Sequence, residues 1–504
     1  MKLYSADEMT RADEGAQKLG IPGGVLMERA SVAMARATLE HFGPLQGRRV
    51  LVVAGGGNNG GDGFVIAREL YLAGANVAVF ATKDEYEGDT KTNLDVLRNL
   101  DVRFIDRDGF GEELNGTDLI VDALLGTGFR GEVREDVAAL IEEINESEAA
   151  VVSVDVPSGV DGSTGEVGGA AVRADLTACG HAAKLGCVVS PGREYSGEVV
   201  VVEIGIPPEA DVEPDATWTD AGSLKSLVPR RAGASHKYSA GALLIVAGSR
   251  MATGATVMVA RGAQRTGCGI IFVVTSESAA QRVDAQITEV LVSGVPEDED
   301  GLMTADAVDH ILEQARKASA IVVGPAAGVG EGGRRLVEGI LEGTDLPMLL
   351  DADAITNLSG TETLAQRSAP TVITPHAGEL GRLLGESAKD ISARRLHYAR
   401  GAAEQSGSCV LLKGNDTLVT EGAKVAANST GTPGLATAGT GDILSGVIGA
   451  LLSRGMDPYD AARAGAWAHG RAAELWLEES GWPLESMAAT DLLPYVPRAM
   501  MELV

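Results

Sequence analysis

The stretch Asn428–Gly446, NSTGTPGLATAGTGDILSG, limits what this chain can fold into more than any other. Gly, Thr and Ser crowd around one acid, Asp442. The run then enters ILSGVIGALLSRG, where Ile443, Leu444, Val447, Ile448, Leu451 and Leu452 have helical spacing. A glycine-rich loop thus delivers a carboxylate to a helix N-terminus. Free N–H groups and the positive end of the helix dipole attract phosphate oxygens there. Glycines let the backbone come close without Cβ clashes. A carboxylate repels phosphate, but it is well placed to take a proton from a hydroxyl that attacks phosphorus. Alone, a GTGD run reads equally well as an ordinary loop with Asp442 as a helix cap.

The first half carries a second loop of this kind. RRVLVVAG (Arg48–Gly55) is a short apolar strand that opens into GGGNNGGDGFVIARELYLAG. Strand, glycine loop and helix in that order form the phosphate-binding turn of a Rossmann-like unit. Here, however, Asn58, Asn59 and Asp62 add polarity that a tight turn does not need. Upstream, residues 5–42 read as helical. Ser5 with Glu8 makes a capping box, and Gly20–Gly24 breaks the run. Further strands are expected at Asn76–Thr82, Val102–Asp106, Asp118–Leu125 and from Ala150. Three strand ends then carry polar groups: Asn58, Asn59 and Asp62; Asp122, Gly126 and Thr127; Asp155 and Ser158. Ligands of open parallel sheets sit at such ends. Oxygens from Asn59, Asp122 and Ser158 would also suit a hard cation.

A chain of 504 residues exceeds one ordinary core, so two domains or more are expected. No apolar run approaches a membrane span. The N-terminus has no apolar segment of a signal peptide, so a cytoplasmic location is expected, with no membrane partner. A net charge of −29 argues against nucleic acid, which needs a basic face. CGHAAKLGC (Cys179–Cys187) contains His181 but lacks a zinc-type spacing. The Pro- and Asp-rich residues 211–223 read as a linker between a domain at 1–210 and one at 224–504. In the second half, strands are expected at Leu243–Ala247, Ile270–Thr275, Ile321–Val323, Met348–Asp351, Thr371–Thr374 and Cys409–Lys413. Helices between them would cover both faces of the sheet.

With GNNGGDGF, VDALLGTG and VDVPSGVDG, roughly residues 1–210 resemble the NAD(P)H-hydrate epimerases. The second half resembles the ribokinase-like superfamily, and more closely the ADP-dependent NAD(P)H-hydrate dehydratases. Seven ordered motifs carry this: HKYSAGALLIVAGS, TGATVMVARGAQRTGCG, VVGPAAG, LLDADAI, TPHAGE, LLKGNDTLV and the opening stretch. The resemblances imply an α/β chain, with a Rossmann-like three-layer domain followed by a ribokinase-like domain. They imply substrate contacts at Asn58, Asn59, Gly60, Gly61 and Asp62, at Gly126, Thr127, Gly128, Phe129, Arg130, Gly131 and Glu132, and at Asp155. Asp155 is the expected proton-handling residue, and K+ is expected at Asn59, Asp122 and Ser158. In the second half, Ala255, Gly324, Gly328, His376 and Asp442 match substrate contacts, with Asp442 the expected base. Lys413, Gly414, Asn415, Asp416, Thr417 and Gly441 match nucleotide contacts. The chain departs from the dehydratase pattern in GPAAG for GPGLG, in AGTGD for GGTGD and in lacking an aromatic residue after GS.

The implied chemistry is repair of hydrated NADH and NADPH. The first domain interconverts the R and S hydrates. The second dehydrates the S form with ADP as phosphoryl donor, releasing AMP and phosphate, with Mg2+ beside the nucleotide. A homo-oligomer is expected. Two alternatives stand beside this reading: a ribokinase-like kinase of a small alcohol, and a non-enzymatic scaffold role for the first domain.

Overall fold

The computed structural model describes residues 1–231, 233 and 236–504. Two compact units emerge, Lys2–Thr217 and Trp218–Val504, with Met1 counted in the second. The first unit is built on the strands β1 (Lys2–Tyr4), β2 (Arg49–Ala54), β3 (Asn76–Ala81), β4 (Arg103–Ile105), β5 (Leu119–Ala123), β6 (Ala150–Val154), β7 (Leu176–Gly180), β8 (Ala183–Lys184) and β9 (Glu198–Val202). Seven of them form a parallel sheet in the order β4-β3-β2-β5-β6-β7-β9. The apolar runs VLVVA and LIVDA are buried along their whole length, as strands covered on both faces require. The order reverses between β2 and β5. At such a switch point the loops after the two strands diverge and leave a crevice.

Helices Ala6–Lys18 and Gly23–Phe42 precede β2, and the expected Ser5/Glu8 capping box is present. The helix Asn58–Leu72 follows β2 directly, so the GGGNNGGDG loop is short and its second half is already helical. Two glycines there have no alternative. A Cβ on Gly55 would lie 1.8 Å from the Leu124 carbonyl oxygen, and one on Gly60 2.0 Å from that of Gly55.

Residues 211–223, expected as a linker, contain β10 (Ala216–Thr219), and the short helix Ala221–Leu224 begins within them. Ala216 and Thr217 pair antiparallel with Leu3 and Lys2. The strand is four residues long, too short for any periodicity to show, and pairing within the sheet stabilises it.

The second unit continues with β11 (Ala242–Val246), β12 (Ile270–Ser276), β13 (Leu291–Val295), β14 (Ala320–Val323), β15 (Met348–Leu350), β16 (Thr371–Ile373), β17 (Cys409–Leu412), β18 (Leu418–Glu421) and β19 (Lys424–Asn428). These lie in the order β13-β12-β11-β14-β15-β16-β17-β18-β19. All neighbours are parallel up to β17, and β18 and β19 then add an antiparallel hairpin. β13, β18 and β19 were not expected as strands. The helix Thr440–Ser453 crosses this sheet and packs against the helix Thr253–Thr266. Their backbones nearly touch: a Cβ on Gly446 would lie 2.1 Å from the Val259 carbonyl oxygen, and one on Gly262 2.6 Å from that of Ile443. This close approach fixes where Asp442 begins its helix.

Candidate functional site

In the first unit the crevice at the switch point is a cleft of about 1020 Å³. Asn58, Asn59 and Asp62 line one wall, Gly126, Thr127, Gly128, Phe129 and Arg130 another, and Asp155 the floor. Gly60 and Gly61 are buried beneath. Gly131 and Glu132 are exposed and do not border the cleft. Three segments distant in sequence therefore converge, as their strand-end positions require.

The oxygen-rich end of β5 is closely knit. Asp122 is fully buried and accepts from the Ser153 hydroxyl at 2.8 Å, the Ser158 N–H at 2.9 Å, the Ser158 hydroxyl at 2.5 Å and the Leu124 N–H at 3.3 Å. Burial pushes its carboxyl above the usual range, and these donors pull against that. The Asn59 amide donates to the Leu125 carbonyl at 3.0 Å, and the Leu125 N–H donates to the Ser158 hydroxyl at 2.8 Å. Asn59, Asp122 and Ser158 thus form one network. Its donor set (carboxylate, hydroxyl, amide and carbonyl oxygen) fits a hard, weakly polarising cation.

Asp155 is held from below. Its φ is 65°, a left-handed conformation that a non-glycine residue rarely adopts. Its Oδ1 accepts from the Gly180 N–H at 2.8 Å and from Lys184 Nζ at 3.0 Å. Two further acids face the same space. Asp62 accepts from the Ser31 hydroxyl at 2.7 Å, and burial pushes it up to about 8. Asp13, on the helix Ala6–Lys18, is pushed up to about 6 by burial and by Asp155. Neither Asp13 nor Lys184 stood out in the sequence. Asp13 lies in a polar helix, and CGHAAKLGC was read for its cysteines rather than as the end of the buried strand β7.

The second unit assembles its site over the ends of β14, β15, β16 and β17. Lys413, next after β17, pairs with Asp351, next after β15, at 2.8 Å and approaches Glu379 at 3.7 Å. Burial works against its ammonium, but Asp351 and Glu379 outweigh that and hold it protonated. The Ser445 hydroxyl takes the other Asp351 oxygen at 2.7 Å. Asp442 enters in the first turn of its helix, after Gly439 at a φ of 94°. Burial first, then the negative charges of Asp351 and Asp353, push Asp442 up to about 7 against the pull of Lys413. A Cβ on Gly441 would stand 3.8 Å from Lys413 Nζ, so the GTGD turn and the lysine share one space. Gly324 must be glycine, at a φ of 126° with the Asp351 carbonyl oxygen 2.0 Å from any Cβ. The Gly328 N–H donates to Asp353 at 2.9 Å.

His376 caps the helix Ala377–Leu384, its Nδ1 accepting from the Gly378 N–H at 2.9 Å, and it remains half exposed. Ala255 sits in the first turn of the helix Thr253–Thr266. Gly414, Asn415 and Thr417 form the turn after Lys413. Asp416 stands in the same turn with its side chain turned inward. Its side chain is fully buried and paired with Arg395 at 2.8 Å, so it anchors the turn from inside and leaves only backbone to a ligand. A helical Arg395 twenty-one residues upstream gave the sequence no local cue. Asp351, Asp353 and Glu379 lie within quoted motifs, yet their convergence on Lys413 and Asp442 comes from strand order. Among the described residues no three His, Cys, Asp or Glu side chains gather as a metal cage, and no helix is long and apolar enough to cross a membrane.

Residues 243–498 match the family model described as NAD(P)H-hydrate dehydratase, and residues 23–186 that described as YjeF-related protein N-terminus. The chain is 35% identical to the bifunctional NAD(P)H-hydrate repair enzyme Nnr of Moorella thermoacetica, over 100% of this chain and 97% of that protein. It is 38% identical to the protein of the same name from Gloeobacter violaceus, over 98% and 97%. Among solved structures it is similar to an ADP/ATP-dependent NAD(P)H-hydrate dehydratase from Bacillus subtilis, co-crystallised with ATP and Mg2+. That match has a TM-score of 0.50 and 28% identity and covers 57% of this chain and 98% of that one. A ribokinase-like superfamily protein from Enterococcus faecalis shares the fold at a TM-score of 0.50 and 21% identity, covering 58% and 98%.

Proposed function

The chain belongs to the bifunctional NAD(P)H-hydrate repair enzymes, and from that we propose how its two sites divide the work. The first unit epimerises the R and S hydrates, with Asp155 handling the proton. The second dehydrates the S hydrate using ADP. One observation carries the reading: a carboxyl raised to about 7, Asp442, and a protonated lysine, Lys413, converge at a helix N-terminus.

Hydroxide is a poor leaving group. The ring hydroxyl of the S hydrate gives its proton to Asp442 while its oxygen attacks the β-phosphorus of ADP. The new O–P bond replaces the bond to AMP, which leaves. Free amides at the start of the helix Thr440–Ser453 hold the transferred phosphate, and Lys413 balances the charge passing between the phosphates. The ring C–O bond then breaks, phosphate departs, and loss of a proton from the adjacent carbon restores the double bond. Mg2+ would travel with the nucleotide phosphates and neutralise their charge. In the first unit, Asn59, Asp122 and Ser158 would hold K+ beside the substrate.

The test supplies equal R and S hydrates with excess ADP and follows the early time course at the absorbance of the reduced ring. The intact protein should convert nearly all of it. Asp442→Asn should slow dehydration by about 10²–10⁴-fold and leave epimerisation. Asp155→Asn should give a fast phase consuming the S half and then a slow tail. Phosphorylated hydrate that accumulates in place of free phosphate would indicate a kinase instead. The two units are also proposed to be separable domains. A cut between Thr217 and Trp218 that leaves neither half soluble would overturn that.

A further inference from the structure

The segment Cys179–Cys187 has no part in the chemistry above, yet it encloses the floor of the first unit's cleft. Lys184 is completely buried. Its ammonium has three hydrogens and three acceptors: Asp155 Oδ1 at 3.0 Å, the Gly180 carbonyl at 2.8 Å and the Ala182 carbonyl at 3.1 Å. A buried lysine is costly unless it is paired and fully hydrogen-bonded, as this one is. Two of its acceptors are carbonyls at the end of β7 and in the turn before β8, which anchors it to the backbone. The third is the one carboxylate of the cleft floor. That carboxylate belongs to a residue at a φ of 65°. Such strain persists only where the surroundings over-determine it. The Gly180 N–H also holds Asp155 Oδ1, and the Cys179 thiol donates to the Asp155 carbonyl at 3.1 Å. One oxygen of Asp155 is thus tied down by two donors, while its side chain still borders the cleft.

We propose that Lys184 is the positioning residue of the first unit's site, holding the Asp155 carboxylate in place and aimed into the cleft. The inference rests on Asp155 being the proton-handling group. Lys184 supplies the cation in direct contact with that carboxylate. The ionisable groups facing Asp155 are Asp13 from the helix Ala6–Lys18, Asp62 from the helix Asn58–Leu72, Cys179 from β7, Lys184 from β8 and Cys187 beyond it.

The test uses the full chain with Lys184→Met, R hydrate and excess ADP, and S hydrate as an internal control for the second unit. Conversion of R hydrate should fall by about 10²-fold, the usual cost of a misplaced catalytic group. The loss should lie in kcat with KM little changed. The double variant Asp155→Asn/Lys184→Met should be no slower than Asp155→Asn alone. A loss confined to KM or additive losses in the double variant would each overturn the proposal. Lys184→Gln, which keeps an N–H donor and drops the charge, serves if Lys184→Met does not fold. If Asp155→Asn itself epimerises normally, the role of Asp155 fails. If Asp155→Asn is inactive and Lys184→Met is normal, only the role of Lys184 fails.

Discussion

Asp442 offers the sharpest test of the second site, because its raised pKa makes the size of a mutational effect depend on pH. A base must be ionised to accept a proton. With a midpoint of about 7, about a tenth of Asp442 is ionised at pH 6 and about nine-tenths at pH 8, so dehydration of S hydrate should rise roughly tenfold between them. Asp442→Asn keeps the shape and removes the base, which costs about 10²–10⁴-fold, or about 3–5.5 kcal/mol of barrier. The variant has no carboxyl to titrate, so its rate should be flat across this range. The ratio of wild type to variant should therefore be about ten times larger at pH 8 than at pH 6. Lys413→Met, removing the cation that holds the pKa down, should shift the wild-type midpoint upward. The assay is the initial rate on purified S hydrate at saturating ADP. A wild-type rate flat from pH 6 to 8, or an Asp442→Asn rate that keeps the tenfold rise, would refute the assignment.

Asp122→Ala should abolish potassium dependence and weaken hydrate binding in the first unit. It should also destabilise the unit by roughly 1–3 kcal/mol for each buried donor left unpaired; unchanged potassium titrations would remove Asp122 from the site. Arg395→Met removes the ion pair to the buried Asp416 carboxylate and should cost about 3–5 kcal/mol in denaturant unfolding of the second unit; a change under 1 kcal/mol would mean the pair is exchangeable. Asp62 is raised to about 8 in the folded state, so the folded form keeps a proton that the unfolded chain gives up above about 4. Stability of the first unit should then fall as pH rises through that window and level off above it. Asp13, raised to about 6, adds a fall of the same sign at the lower end. From pH 6 to 8 the wild type should lose melting temperature while Asp62→Asn holds nearly constant; parallel curves would contradict a protonated Asp62.

The sequence by itself determined the local chemistry. Glycines at 55, 60, 324 and 441 and the acids beside them are legible because each loop needs its residues within a few positions, next to an apolar strand or helix. Buried parallel strands announce themselves as unbroken apolar runs. The Ser5/Glu8 cap is a contact over three residues. What the sequence left open is everything that depends on strand order. Asp351 and Lys413 are 62 residues apart and meet because β15 and β17 flank β16. Lys184 reaches Asp155 because β6 and β7 are neighbours. Asp416 faces Arg395 instead of a ligand because its turn packs on the helix Arg395–Ser406, which no short-range pattern records. Burial is likewise a tertiary quantity: the same carboxyl side chain is an ordinary acid in water and stands near 7 at Asp442 or near 8 at Asp62 only after the fold has removed the solvent around it.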